Sequence, residues 1–266
     1  MNSADLKDAR DILLDREAFL SLAKELVDYA DRQAWQGCDA EVRRLFRHWS
    51  GLHLKSSIEK VFRHAQSPIE KIFLNSLLIM GFWRSPFFLI FTPRFASITE
   101  TLAYVRQRGA EIAEARTRFE AATGLDGPRV FLDAIEEADD IPRDVKEAVG
   151  IDVVLMDGMR LRDRFHVSVQ SGLQELAVAN RGVRPDIFVW VPSRPEFRLV
   201  VECDGYAFHS DRATFSRDRR RDRVLKGHGY DVLRFAGTEI FHDPPGVALE
   251  LIEYLDREQE RLELEL

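Results

Sequence analysis

The stretch Arg184–His209 reads RPDIFVWVPSRPEFRLVVECDGYAFH, and its alternation decides how the rest of the chain is arranged. From Phe197 onward, Phe197, Leu199, Val201 and Cys203 fall on one side of an extended chain, with Arg198, Val200, Glu202 and Asp204 on the other. Glu202 and Asp204 therefore project the same way, roughly 7 Å apart at about 3.3 Å rise per residue. Pairing Ile187–Val191 with Phe197–Val201 as an antiparallel hairpin around Arg194 sets Val191 opposite Phe197. The same register sets Asp186 opposite Glu202 on one face. Three carboxylates then meet where two strands end. Like charges that close raise one another's pKa unless a cation sits among them, so the arrangement asks for a metal ion.

On the C-terminal side of this hairpin, Thr214 to Lys226 reads as a helix ending at Gly227 or Gly229. A strand follows from Tyr230 to Phe235, then a final helix from about Pro245 to Leu264. Strand, crossover helix and strand imply a parallel pair with a right-handed connection. On the N-terminal side the period is already two from Ile151, with an Asp157-Gly158 turn signal. Phe165–Gln170 and Leu173–Val178 are further short strands, and Asn180-Arg181-Gly182 is the turn before the hairpin. The expected class is α/β, a mixed β-sheet flanked by helices.

The crossover helix is rich in arginine: Arg217, Arg219, Arg220, Arg221, Arg223 and Lys226 stand against Asp218 and Asp222, with Arg212 just upstream. Phe215, Val224 and Leu225 would dock it on the sheet. Guanidinium forks suit phosphate oxygens, and each neutralised phosphate adds salt-sensitive affinity. Intrahelical Arg–Asp pairs on a solvated face are the plain alternative. Three convergent carboxylates beside such a helix fit metal-assisted phosphodiester hydrolysis, and hard oxygen ligands select Mg2+ or Mn2+.

Residues 1–66 read as amphipathic helices, with one expected from Asp39 to Trp49 and another from Ser56 to His64. Arg43, Arg44, Arg47, Lys55, Lys60 and Arg63 in this region suit either phosphate contact or a solvated face. Ser67-Pro68-Ile69-Glu70 opens a new helix with a serine N-cap, a proline at its start and a glutamate placed to reach back to the backbone of Ser67. The apolar run Ile72–Phe91 is interrupted by Asn75, Gly81, Arg84 and Pro86, which favours a buried helix, a break and a buried strand over a membrane span. Beyond it, Pro93 to Thr123 reads as a long helix, and Asp133, Glu136, Glu137, Asp139 and Asp140 form an acidic cluster best read as a solvated helix face turned away from nucleic acid.

The whole chain has 266 residues and a formal net charge of -7, enough length for one or two domains and no general basic coat. Cys38 and Cys203 give neither a disulfide framework nor metal-finger spacing, so a reducing cytoplasm is expected. The first residues, MNSADLKDARDILLD, lack an apolar signal core, and no membrane association is expected.

Pro185-Asp186 followed by Glu202-Cys203-Asp204 at the end of an apolar strand resembles the PD-(D/E)XK nuclease signature. VVECDGYAFH, then RDRRRDRVLKGHGYDVLRF and TEIFHDP, look most like endonuclease-like domains related to the very-short-patch-repair nucleases. Ser67-Pro68-Ile69-Glu70 is similar to the start of their first helix. The resemblance implies a restriction-endonuclease-like core over 67–80 and 150–266, with 1–66 a helical accessory region and 81–149 a mainly helical insertion. It implies Asp186, Glu202 and Asp204 as metal ligands, Glu70 as the acid from the first helix, and His209 as an acid, base or phosphate donor. Gln170 falls where such domains carry a glutamine, and Asp204 stands where the superfamily usually has lysine. A second metal ion, or Lys226, Arg219 or Arg223 from the helix, would then have to supply that charge.

The function expected is a Mg2+- or Mn2+-dependent endonuclease acting on DNA, in defence or repair, with Arg212, Arg217, Arg219, Arg220, Arg223 and Lys226 on the nucleic acid. A homodimer would pair two sites for double-strand cutting. The competing expectation is a non-catalytic nucleic-acid-binding or regulatory module on the same scaffold, motivated by Asp204 and the acidic insert. A structural protein whose helical blocks bind partners is the third.

Overall fold

The hairpin at the centre of the chain pairs β5 (Ile187–Val191) with β6 (Arg194–Asp204). The computed structural model describes residues 3–33, 40–85, 87–95, 97, 99–100, 103–104, 107, 163–178, 181–204 and 212–262. Ile187 is opposite Val201, Phe188 opposite Val200, Val189 opposite Leu199 and Trp190 opposite Arg198, the register read from the alternation. Only the tight end differs. Val191 pairs with Arg194 rather than Phe197, because an irregularity after Trp190 lets β6 start directly after the Pro192-Ser193 turn.

Around this hairpin stand β1 (Leu89–Phe91), β2 (Phe165–Val169) and β7 (Asp231–Ala236), giving a five-stranded sheet in the order β1-β2-β5-β6-β7. β1 runs parallel to β2 and β7 parallel to β6, whereas β2–β5 and β5–β6 are antiparallel. The sheet is mixed, as expected. β3 (Leu173–Val178) pairs with β4 (Arg181–Val183) as a separate ladder, so Arg181 and Gly182, read as a turn, are strand residues.

Each face of the sheet has its own core. Phe197, Leu199, Val201 and Cys203 face α4 (Pro68–Arg84) and α7 (Pro244–Arg261), joining Phe73, Leu77, Leu251 and Ile252. Each such side chain, fully buried, contributes about 1.5–3 kcal/mol. The opposite face packs Val200, Phe188 and Trp190 against Leu225 of α5 (Arg212–Gly227) and against Tyr230. α5 is the crossover between β6 and β7. A short α6 (Gly237–His242) links β7 to α7.

The N-terminal helices α1 (Ser3–Leu14), α2 (Arg16–Gln33) and α3 (Ala40–His64) share the first of these cores through Leu13, Phe19, Val27, Ile58 and Val61. α3 is one helix of 25 residues, where two were expected. Its buried stripe is Ser50, His53, Leu54, Ser57, Ile58 and Val61. The spacing is helical, but half the stripe is polar, and this hid it from a hydrophobic reading. His53 meets the Leu89 carbonyl at 3.0 Å, and Lys60 donates to the Phe91 carbonyl at 2.7 Å. α3 thereby clamps the β1 edge.

α4 and β1 realise the expected buried helix, break and strand. Buried Asn75 donates to the Leu13 carbonyl at 2.6 Å, using its polarity to tie off the end of α1. Among the described residues no helix is long and apolar enough to cross a membrane. Most of 81–149, including the acidic cluster and most of the long helix expected from Pro93, lies outside the described residues, as does 151–161. The described part of that region supplies the last turn of α4 and the whole of β1.

Candidate active site

Strand register places four side chains in one row across the sheet. Val169 is opposite Ile187, and the Gln170 N–H donates to the Asp186 carbonyl at 2.8 Å, extending the β2–β5 ladder by one residue. Ile187 is opposite Val201, which brings Asp186 level with Glu202. Glu202 is opposite Arg234 on β7. Gln170, Asp186, Glu202 and Arg234 thus follow one another over four neighbouring strands, about 4.8 Å per step. All belong to the face that carries Phe188 and Val200, beneath α5.

The first helix adds a carboxylate. Ser67 caps α4 by accepting from the Glu70 N–H at 3.1 Å. The Glu70 carboxylate reaches back to accept from the Gln66 N–H at 2.9 Å, one residue beyond the Ser67 backbone expected. The same Oε2 accepts from Gln170 Nε2 at 3.0 Å. Gln170 Nε2 also donates to Asp186 Oδ1 at 3.0 Å, so one amide bridges the two acids. Asp186 Oδ2 accepts from the Cys203 N–H at 2.8 Å. Gln170 holds φ at 55°, the left-handed region that non-glycine residues seldom occupy, and the surrounding bonds fix it there.

Burial dominates the electrostatics. Glu202 is 4% exposed. Desolvation pushes its carboxyl up to about 8, with Asp186 and Asp204 adding to the rise and Arg221 opposing it. Asp186 is also held above the usual range, first by desolvation and then by Glu70, against the Cys203 and Gln170 hydrogen bonds. The Cys203 thiol, buried among these acids, is pushed well up and is a packing group.

Two guanidinium groups enter the site, and neither is among Lys226, Arg219 and Arg223, the cations expected from the helix. Those three are exposed on α5. Arg221, on the same helix, makes a short ion pair with Glu202. Arg234 Nη1 donates to Asp204 Oδ1 at 2.8 Å, and its Nη2 and Nε donate to Asp222 at 2.7 and 3.3 Å. Five carboxylates, from Glu70, Asp186, Glu202, Asp204 and Asp222, therefore share two arginines. Among the described residues no group of three His, Cys, Asp or Glu side chains is already drawn around one point as a metal cage.

Sequence reasoning placed Glu70, Asp186, Glu202 and Asp204 in one neighbourhood, and the structure brings them together. It overlooked Arg234. The signal was the alternation of Asp231–Ala236, but a parallel strand reached through a helix carries no turn to fix its register. His209 and the side chains of Arg212 and Arg217 lie outside the described residues, while Arg220 is exposed on α5 with Arg219, Arg223 and Lys226. Of the N-terminal basic residues, Arg43 and Arg47 pair with Asp31 and Asp28 and Lys60 holds β1, so these three serve the scaffold.

Residues 166–255 match the family model REase_MTES_1575, a restriction-endonuclease family. That stretch is a restriction-endonuclease-like domain. The matched segment spans about a third of the chain and holds Gln170, Asp186, Glu202, Asp204, Arg221 and Arg234. Glu70 joins the endonuclease-like domain from outside the matched segment, through the Gln170 bridge. No curated protein and no solved structure matches the chain.

Proposed function

We propose that the chain is a metal-dependent endonuclease that hydrolyses phosphodiester bonds of DNA. The observation that carries this reading is the row Gln170–Asp186–Glu202: a half-buried and a buried acid side by side, both held above the usual carboxylate range, within an endonuclease-like domain. Five carboxylates against two arginines leave an excess of acid that is relieved either by protonation, as the raised Glu202 and Asp186 carboxyls show, or by a further cation. The donor set is all hard oxygen, which fits Mg2+ or Mn2+.

Asp186 and Glu202 would hold the metal, with Glu70 behind them through water; when bound, the ion supplies Lewis acidity and an activated water. The chain's own residues do the remainder. Gln170 fixes the Asp186 and Glu70 carboxylates relative to each other. Arg221 pairs with Glu202 and would have to give way to an ion bound there. The exposed Arg219, Arg220, Arg223 and Lys226 offer a basic helix face to the DNA backbone. His209 retains its expected role as acid, base or phosphate donor, and a second copy would be required to pair two sites for double-strand cleavage.

The test is cleavage of supercoiled, linear and single-stranded DNA with Mg2+ or Mn2+, run beside Glu202→Ala. Metal-dependent cleavage that Glu202→Ala abolishes supports the reading, and robust cleavage by that variant sinks the site assignment. The arginines on Glu202 and Asp204 favour one competing reading, a nucleic-acid-binding module without hydrolysis. It requires salt-dependent binding with no cleavage under any of these conditions.

A further inference from the structure

We infer that Arg234 is the fixed cation of this site, aimed at the phosphodiester, and that Asp204 serves to hold it rather than to ligate a metal. The inference rests on the nuclease reading and deepens it.

Hydrolysis of a phosphodiester adds negative charge to the non-bridging oxygens, and a cation preorganised against them lowers the barrier most where water is scarce. Asp204 cannot supply that charge. It binds a group that can: Arg234 Nη1 lies 2.8 Å from Asp204 Oδ1. Asp222, on α5, grips Arg234 from the other side through Nη2 and Nε at 2.7 and 3.3 Å. Three donors of the guanidinium are thus committed to two carboxylates. A guanidinium has five, which leaves two for a phosphate.

Position argues the same way. Arg234 is the cross-strand neighbour of Glu202 and follows Asp186 and Glu202 in the row. Its side chain is 23% exposed, enough to meet a substrate and little enough to keep its field strong. The two arginines of the site differ in what they occupy. Arg221 sits on Glu202 itself, so a cation arriving there must displace it. Arg234 sits on Asp204 and Asp222, so it can stay in place while Asp186 and Glu202 take a metal. The lysine expected at position 204 is thereby replaced by a unit of three residues from β6, α5 and β7.

The experiment compares the unaltered full chain with Arg234→Met, Arg234→Lys, Arg234→Gln and Asp204→Asn. Mn2+ binding is read by calorimetry without DNA, and cleavage of linear DNA by single-turnover kinetics over a range of protein concentrations. Arg234→Met is expected to bind Mn2+ within about threefold of the unaltered chain and to lose about 100-fold or more in the cleavage rate constant, with the half-saturating concentration little changed. Arg234→Lys should recover at least about tenfold over Arg234→Gln, since it restores the charge without the fork. That last comparison decides the matter if Arg234→Met does not fold. Asp204→Asn should lower cleavage and leave Mn2+ affinity intact. A fall of about tenfold or more in Mn2+ affinity for Asp204→Asn makes Asp204 a ligand and overturns the inference. So does cleavage by Arg234→Met within threefold of the unaltered rate, or equal rates for Arg234→Lys and Arg234→Gln. If the unaltered chain neither binds Mn2+ nor cleaves, the nuclease reading itself fails, and this assignment with it.

Discussion

Gln170 and Asp186 are joined twice: the Gln170 N–H donates to the Asp186 carbonyl at 2.8 Å and its side-chain amide donates to Asp186 Oδ1 at 3.0 Å. The first bond is sheet; the second is site. Because the same amide nitrogen also reaches Glu70, a single side chain sets the spacing of two acids, one from α4 and one from the residue that leads into β5. The backbone of Gln170 accepts a left-handed conformation to do so.

Gln170→Asn separates these roles. Asparagine tolerates positive φ better than glutamine and keeps the backbone bond, but it is one methylene shorter and cannot bridge both acids. Thermal or urea unfolding should change by less than about 1.5 kcal/mol, the net worth of one hydrogen bond. Metal-dependent cleavage should fall about tenfold or more, since a misplaced ligand costs 10- to 100-fold. Unchanged cleavage would remove Gln170 from the site.

The raised Glu202 carboxyl makes stability depend on pH with a definite sign. The folded chain holds this proton up to about pH 8, whereas an ordinary glutamate releases it near 4.5. Between those values the folded state binds more protons than the unfolded, so this group's contribution falls as pH rises through the window. Glu202→Gln keeps the shape of the protonated form and should be stabilised relative to the unaltered chain at pH 8, by on the order of 1–3 kcal/mol. The difference should vanish near pH 4. Urea unfolding in EDTA at three pH values measures it.

A divalent cation should reverse that penalty. In excess Mg2+ or Mn2+, the unaltered chain should gain about 2.7 kcal/mol once the ion reaches 100 times its dissociation constant. Glu202→Gln should gain little. Melting curves with and without EDTA distinguish the two, and equal gains would place the ion elsewhere.

The exposed arginines of α5 should show up in salt dependence. Replacing Arg219, Arg220 or Arg223 by alanine is expected to weaken DNA binding about equally for unrelated sequences. Each should reduce the slope of log affinity against log salt by about 1 if it neutralises one phosphate. A slope that does not move would return those side chains to the solvated helix face.

How firmly the N-terminal helices belong to the endonuclease-like domain is measurable at Ile58, fully buried on α3. Ile58→Ala should cost about 2–5 kcal/mol, and the loss should appear in one cooperative transition that also reports the sheet. An early, separate transition would mark α1–α3 as an independent body.

The legible parts of this molecule are those in which neighbouring residues specify one another. The β5–β6 register was readable because β6 alternates, turning Phe197, Leu199 and Val201 to one core, and because a short Pro-flanked loop joins it to the apolar run of β5. The cap at Ser67 was readable because four consecutive residues carry it. What escaped depends on partners remote in sequence. Ser50, His53 and Ser57 of α3 look solvated until β1 supplies the carbonyl that His53 meets. Arg234 looks like a routine strand arginine until the parallel pairing with β6 sets it beside Glu202. Arg221 could not be told from its neighbours on α5 without knowing which side of that helix faces the sheet.

The row across β2, β5, β6 and β7 also bears on synthesis. A chain emerging from the ribosome carries Glu70 about a hundred residues before Gln170, and Arg234 later still. Until β7 settles beside β6, the acids lack the guanidinium that completes their surroundings, and Glu70 has no bridge until β2 is in register. A nascent or misregistered chain therefore holds the four side chains of the row without the row itself, which is complete only when the last strand of the sheet has docked.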